Sequence, residues 1–166
     1  MKPQVFTCLV VTLGSAALTL GADLAGQGAR QNALRQCNVT WHEPGKHSTD
    51  SMPIGNGDIG LNVWVEGGGD LVFYISKTDA WCENGRLLKL GRVRVRLSPN
   101  PFRQGQLFKQ ELRLSSGEIV IEAGEKQQSM TLRVWVDANH PVVQVDVGGP
   151  SPFEVRGRPP GPSTCR

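Results

Sequence analysis

The sequence has few cysteines and only one long apolar run, and each shortage excludes a class of protein. Four cysteines in 166 residues are too few for a small scaffold held together by disulfides. A single apolar run, at the N-terminus, excludes a membrane protein with several spans. Disorder is excluded too, because 39% of the residues are hydrophobic. Glycine and proline are abundant instead, with 20 and 11 residues, which favours a fold with many turns.

The N-terminal run has the pattern of a secretory signal peptide. Lys2 gives a positive start, residues 5–20 are apolar or small, and Ala22 is the small residue that cleavage requires. We therefore predict a signal peptide over residues 1–22 and a secreted or periplasmic protein, with no stable membrane span once the signal is removed. The alternative is a single membrane anchor, which the shortness of the run disfavours.

Two further segments lack any pattern of burial. Residues 23–36 are rich in Gly, Ala, Gln and Arg, and we predict a flexible lead-in there. Residues 148–166 contain nine Gly or Pro and no apolar periodicity, so we predict a disordered tail. Such a tail is either natural or the result of a lost reading frame or a truncated chain.

The formal charge of +3 comes from the two ends of the chain. Lys2 lies in the signal, and the tail holds three arginines but only one acid. Residues 23–147 carry 14 basic and 14 acidic residues and are neutral. A nucleic-acid partner is therefore not expected, since it requires a net basic face for the phosphates.

Apolar residues alternate with polar ones through the middle of the chain, as in half-buried β-strands. Turn residues separate the strands at intervals of about 8–12 residues, and no helix of ten residues or more follows the signal. We predict an all-β, antiparallel sandwich of the supersandwich type over residues 37–147. Its predicted strands lie at residues 61–65, 71–75, 92–97, 112–114, 119–121, 132–136 and 143–147.

Two motifs resemble a cofactor site and a metal site, but neither lies in the structural context that such a site requires. Residues 55–60 match G-x-G-x-x-G, but a strand follows where a dinucleotide site needs a helix, so a tight turn with glycine at positive φ is favoured. His42 and His47 resemble the zinc motif H-E-x-x-H, but they are one residue too far apart and enclose a Pro-Gly pair that prevents a helix. We expect no metal and no cofactor.

The sequence permits more than one role for two of the cysteines and for three neighbouring arginines. Cys37 and Cys82 are candidates for a disulfide in an oxidising compartment. Arg92, Arg94 and Arg96 form a stripe on one strand face. An anion site is one interpretation, but pairing with acids on a neighbouring strand is favoured because the domain is neutral.

The four tryptophans are the strongest sign of a binding surface. Indole rings stack on sugars in binding modules, yet Trp is also the side chain with the largest apolar surface for a core. Trp64 and Trp135 fall on the polar face of their strands, which predicts that this face is covered too. Among the carboxylates, a catalytic pair of Asp58, Asp79 or Glu83 is the least favoured hypothesis, because the sequence places no two of them together.

Several segments resemble one known family. Residues 41–45 and 50–64, with the turn Pro53-Ile54-Gly55-Asn56-Gly57-Asp58-Ile59-Gly60, are similar to the opening of a secreted bacterial domain of unknown function, numbered 5703. More loosely, they resemble the N-terminal β-sandwich of glycoside hydrolase family 95, the α-L-fucosidase type. Residues 69–81, ending in the corner Asp79-Ala80-Trp81, and residues 88–95 and 134–139 continue the likeness to about Val147.

The resemblance implies a non-catalytic N-terminal sandwich of a longer, secreted glycoside-hydrolase-like protein. The family's catalytic carboxylates lie in a downstream helical barrel, so no catalytic residue is assigned here, and that catalytic domain is the expected partner. The alternative is a stand-alone carbohydrate-binding module that takes a polysaccharide or another glycan. Residues proposed for binding are Trp41, Asn56, Asp58, Lys77, Asp79 and Trp81.

Overall fold

The computed structural model describes residues 28–103, 105–125, 128–149 and 154–158. The predicted signal peptide with its cleavage point at Ala22 lies outside these residues, as does the rest of the C-terminal tail. Residues 28–36 form a helix that is exposed along its whole length. Among the described residues, no helix is both long and apolar enough to cross a membrane.

In the described residues, ten strands form two antiparallel sheets of five strands each. The first sheet has the order β1-β6-β7-β8-β9 and the second the order β10-β5-β4-β3-β2. A short 3-10 helix, Ser48–Asp50, precedes β2. The strands are β1 (Val39–Trp41), β2 (Met52–Gly55), β3 (Ile59–Val65), β4 (Leu71–Trp81), β5 (Leu87–Ser98), β6 (Leu107–Arg113), β7 (Glu118–Glu125), β8 (Gln128–Val136), β9 (Val143–Gly148) and β10 (Glu154–Arg158).

The core lies between the sheets and follows the predicted alternation. Val63 and Leu71 of the second sheet and Ile119, Leu132 and Val134 of the first have no exposed surface. Burying one such aliphatic side chain contributes about 1.5–3 kcal/mol. The predicted all-β sandwich is therefore confirmed.

One polar side chain crosses this apolar interior. Gln110 of β6 is 1% exposed, and its amide nitrogen donates to the carbonyl of Val63 in β3, 3.3 Å away. A buried amide without a partner is costly, so this bond helps to fix the position of one sheet on the other.

The outer face of the second sheet is also partly covered. Trp64 is 3% exposed although it points away from the core, and its ring lies 5.1 Å from that of Tyr74. The loop of residues 42–50 covers it, since Gly45 forms a bridge with Glu66, and a Cβ on Gly45 would lie 3.6 Å from the Cβ of Trp64. On the first sheet, Trp135 is half-buried beneath the guanidinium of Arg133. Coverage is thus fuller over the second sheet than over the first.

Three predictions about the ends and the cysteines need correction. The segment 148–166 is not without structure, because Glu154–Arg158 pairs with β5 as an edge strand. Backbone hydrogen bonds to an open sheet edge suffice for this, and they leave no apolar periodicity in the sequence. The lead-in is helical over residues 28–36, where Ala, Leu, Gln and Arg all favour a helix. The predicted disulfide is absent, since Cys37 and Cys82 are not bonded to each other.

Candidate functional site

The turn between β2 and β3 is held by a single asparagine. The side-chain oxygen of Asn56 accepts hydrogen bonds from the backbone N–H groups of Asp58 and Ile59, at 3.0 and 2.8 Å. Gly57 has φ of +93°, and a Cβ on Gly55 would come within 2.5 Å of the carbonyl oxygen of Ile59. Glycine is therefore required at both positions, and the prediction of a tight turn is confirmed.

The turn places Asp58 against β4. Ile59 pairs with Lys77, and the N–H of Thr78 donates to the carbonyl of Asp58 at 2.9 Å. Lys77 Nζ then lies 3.1 Å from Asp58 Oδ1 and 2.6 Å from Asp79 Oδ2. One ammonium group thus bridges two carboxylates that are 21 positions apart in the sequence.

This bridge sets the charge state of the groups. The hydrogen bonds that Lys77 donates to Asp79 and then to Asp58 raise the pKa of Lys77 above its ordinary value. The hydrogen bond from Lys77 lowers the pKa of Asp79. Both groups are therefore charged at neutral pH, and a carboxyl that must donate a proton in catalysis needs the opposite shift.

Trp81 completes what we call the rim cluster: Asn56, Asp58, Lys77, Thr78, Asp79 and Trp81. Its indole N–H donates to the carbonyl of Thr78 at 2.7 Å, which orients the ring. The residue is 58% exposed, the largest exposed fraction among the large hydrophobic residues of the described chain. The cluster therefore presents an oriented aromatic ring beside two carboxylates and an ammonium group.

The rim cluster also joins the two sheets. The amide nitrogen of Asn56 donates to the carbonyl of Asp137 at 2.7 Å, in the loop after β8. Asp137 Oδ1 in turn accepts from the N–H groups of Asn139 and His140 and lies 3.0 Å from His140 Nδ1. The backbone hydrogen bond from Asn139 and the side-chain bond of His140 lower the pKa of Asp137. Sequence analysis missed His140 as a neighbour of Asn56, because only the packing of the sheets brings them together.

Trp41 does not belong to the rim cluster. It lies on β1, pairs with Gln110 and packs against the core. Two strands, β6 and β7, separate it from β8 and the loop that Asn56 contacts. Trp41 therefore lies apart from the rim cluster, and its role in binding stays a prediction.

Other candidate groups are scattered. Glu83 lies exposed in the turn between β4 and β5, and His42 and His47 lie exposed in an irregular loop. In the described residues, no three His, Cys, Asp or Glu side chains are grouped as metal ligands. A groove of about 550 Å³, lined by His42, Arg103 and Leu107 among others, lies at the end of the sandwich opposite the rim cluster.

Comparison with known proteins assigns the fold to one family. Residues 40–157, more than two thirds of the chain, match a family described as a domain of unknown function (DUF5703). The chain belongs to this family. The match confirms the first of the two resemblances and extends ten residues past Val147, so that it includes most of β10. No curated protein matches the chain.

Proposed function

We propose that this domain is a non-catalytic β-sandwich of a secreted bacterial glycoside-hydrolase-like protein, and that it works beside a catalytic domain of the same polypeptide in carbohydrate processing. The observation that carries the proposal is the bridge of Lys77 between Asp58 and Asp79. These are the only two described carboxylates that share a partner at the rim. Their pairing makes them structural anchors of the turn and of β4.

The chemistry of glycoside hydrolysis supports this interpretation. Both of its common mechanisms need one carboxylic acid that keeps its proton near neutral pH. Asp79 has a lowered pKa because of Lys77, and Asp58 is held by the same ammonium group. A sugar bound at Trp81 would meet the charged carboxylate of Asp79, which has no proton to donate.

Hydrolysis of a panel of aryl glycosides by the whole chain tests the absence of catalysis. We expect no turnover above the rate in buffer. Turnover that falls by two or more orders of magnitude in Asp79→Asn would contradict the proposal. The matched control is Asp146→Asn, an exposed carboxylate on β9 that lies outside the rim cluster.

The partner domain and the secretion have separate tests. Coding DNA downstream of Arg166, translated in all frames, is expected to encode a helical domain, and an absence of such coding potential would count against it. Expression of the whole chain in a bacterium, followed by N-terminal sequencing of the exported product, is expected to give Asp23 as the first residue. A product retained in the cytoplasm with Met1 intact would contradict export.

A second candidate function is sugar binding by the rim cluster itself, which the oriented, exposed indole of Trp81 favours. An aromatic face gives apolar contact area at small entropic cost, and nearby carboxylates accept hydrogen bonds from hydroxyl groups. Glycan-array binding should fall at least tenfold in Trp81→Ala. Leu107→Ala is the control, because Leu107 is 54% exposed at the other end of the sandwich. Equal losses in both variants, or no binding by the wild type, would refute it.

A further inference from the structure

The outer face of the second sheet carries an excess of basic residues that the core and the rim cluster do not use. We propose that this face, which we call the arginine face, binds an acidic polysaccharide whose carboxylates are received by guanidinium groups of β5, beside which the strand register places two arginine positions of β10. The proposal rests on the proposed function only for the choice of a carbohydrate as the anion. Its argument uses residues that are distinct from the rim cluster.

Two arginines of this face are already held in place. Asp70 is 5% exposed, and its carboxylate accepts three hydrogen bonds from these arginines. Arg96 donates two of them, from Nε at 3.1 Å and from Nη2 at 3.0 Å, and Arg94 donates the third from Nη1 at 2.6 Å. Arg94 also donates to Glu66 at 3.0 Å. Each guanidinium has five N–H donors, so both keep donors that these bonds do not use. The side chain of Arg96 remains 65% exposed, and a fixed donor group loses little entropy when it binds an anion.

Two further cations on this face have no acidic partner in the part of the chain that the structure describes. Arg92 pairs with Tyr74 in the sheet register, is exposed, and makes no hydrogen bond or ion pair with a described residue. Lys89 places its ammonium group 4.4 Å from the centre of the Tyr74 ring. Of the acids on this face, Asp70 and Glu66 are already committed to Arg94 and Arg96, and the third, Glu154, lies at the start of β10 opposite Ser98.

The register of β10 increases this imbalance. Arg156 lies opposite Arg96, and Arg158 lies opposite Arg94. Opposed positions in an antiparallel pair share a face of the sheet, and like charges at such positions are unfavourable. An anion bound across β5 and β10 would remove this repulsion. The pairing of the strands therefore concentrates arginines that the sequence shows as two separate groups, residues 92–96 and 156–158.

The chemistry favours an acidic polysaccharide over a nucleic acid. Arg92 and Arg96 are exposed on this face, and the bidentate contact of Arg96 with Asp70 shows the geometry with which a guanidinium receives a carboxylate. Single-stranded nucleic acids need exposed aromatic rings for stacking, whereas Trp64 on this face is 3% exposed. Residues 23–147 are neutral and β10 adds a single net positive charge, so the domain has no strong long-range field for a duplex.

The test is affinity electrophoresis of the whole chain in gels that contain polygalacturonate, a neutral galactan or DNA. We expect polygalacturonate to retard the wild type and high salt to abolish the retardation. The triple variant Arg92→Gln/Arg156→Gln/Arg158→Gln should bind at least tenfold more weakly. A control with the same loss of charge is Arg30→Gln/Arg35→Gln/Arg103→Gln, since these three residues are exposed and lie outside the arginine face.

Three results would overturn the proposal: no retardation by polygalacturonate, equal losses in the triple variant and its control, or stronger retention by DNA. If the triple variant fails to fold, Arg92→Glu alone serves, because Arg92 has no bonded partner among the described residues. Trp81→Ala separates this proposal from sugar binding at the rim. It should leave retention by polygalacturonate unchanged, and a matching loss would place the acidic polymer at the rim instead.

Discussion

The outer faces of the two sheets carry similar residues in different arrangements. On the first sheet, Glu111 forms ion pairs with Lys109 and Arg113. Glu118 forms an ion pair with Arg133, in which Nη2 of the arginine lies 2.6 Å from Oε2 of the glutamate. On the second sheet, Asp70 is buried between Arg94 and Arg96, and Glu66 also pairs with Arg94, whereas Arg92 and Lys89 have no acidic partner among the described residues. Each of the basic residues named on the first face thus has an acidic partner, and the second face has positive charge that its own acids do not neutralise. Charged side chains that pair with a neighbour of opposite sign stabilise the fold. Basic side chains without such a neighbour remain available to bind a partner.

The largest expected difference concerns the tryptophans of the two faces. Trp64→Ala should cost about 3–5 kcal/mol, because a fully buried ring is lost beneath the loop of residues 42–50. Trp135→Ala should cost about 1–2 kcal/mol, because Trp135 is half-buried. Urea unfolding of both variants measures the two losses. Equal losses would show that the two faces are covered to the same degree.

The next difference concerns the buried carboxylate. Asp70→Asn should lower the free energy of unfolding by about 2 kcal/mol or more, since three charge-assisted hydrogen bonds from Arg94 and Arg96 are weakened. Glu111→Gln should cost about 1 kcal/mol or less, because Lys109 is 40% exposed and Arg113 is 37% exposed. Denaturant titration under identical conditions compares them. A larger loss in Glu111→Gln would reverse the ranking of the faces.

Lowering the pH should remove the contribution of Asp70 to the free energy of unfolding. Hydrogen bonds from Arg96 and then from Arg94 lower the pKa of Asp70, so its stabilising effect is present above the pKa of the unfolded chain, about 4. That effect is lost as the pH falls through the lower pKa of the folded state. The difference in free energy of unfolding between wild type and Asp70→Asn should therefore become smaller as the pH is lowered from 6 to 2. A gap that widens on acidification would contradict the assignment.

The two smallest expected changes in stability, those of Arg158→Gln and Arg133→Gln, should have opposite signs. Arg158→Gln removes one of two opposed arginines and should raise stability at low salt by about 0.2–1 kcal/mol. Arg133→Gln removes a partner of Glu118 on the first face and should lower stability by a few tenths of a kcal/mol, about the contribution of an exposed ion pair. Thermal unfolding at 20 mM and 500 mM salt measures both. Changes of the same sign would refute the contrast.

Much of the fold was predictable, and the exceptions share a cause. The long strands β3, β4, β5 and β8 each place core residues at every second position over part of their length, since one face of each must enter the core. The strands β1, β2 and β10 have only three to five residues, too few for an alternation to stand out, and each pairs at the edge of a sheet. Edge strands form because a neighbour leaves its backbone groups open, which depends on tertiary structure.

The candidate site shows the same division. Asn56, Asp58, Lys77, Asp79 and Trp81 come together as predicted, because one turn and one strand register place them at one rim. Trp41, the other binding candidate, lies on β1 away from this rim, because its residue type favours binding and core packing equally and does not fix its position. His140 joins the surroundings of Asn56 through the loop after β8, which belongs to the other sheet.

The sequence by itself determined the period of the strands, the glycine turn at residues 55–57 and the neutral charge of residues 23–147. These properties reside in local residue types and in composition. Tertiary structure decided that Asp70 would be buried between Arg94 and Arg96 and that Arg156 and Arg158 would lie opposite them. The physical reason is that strand register joins residues far apart in the chain, and register follows from the packing of both sheets around one core.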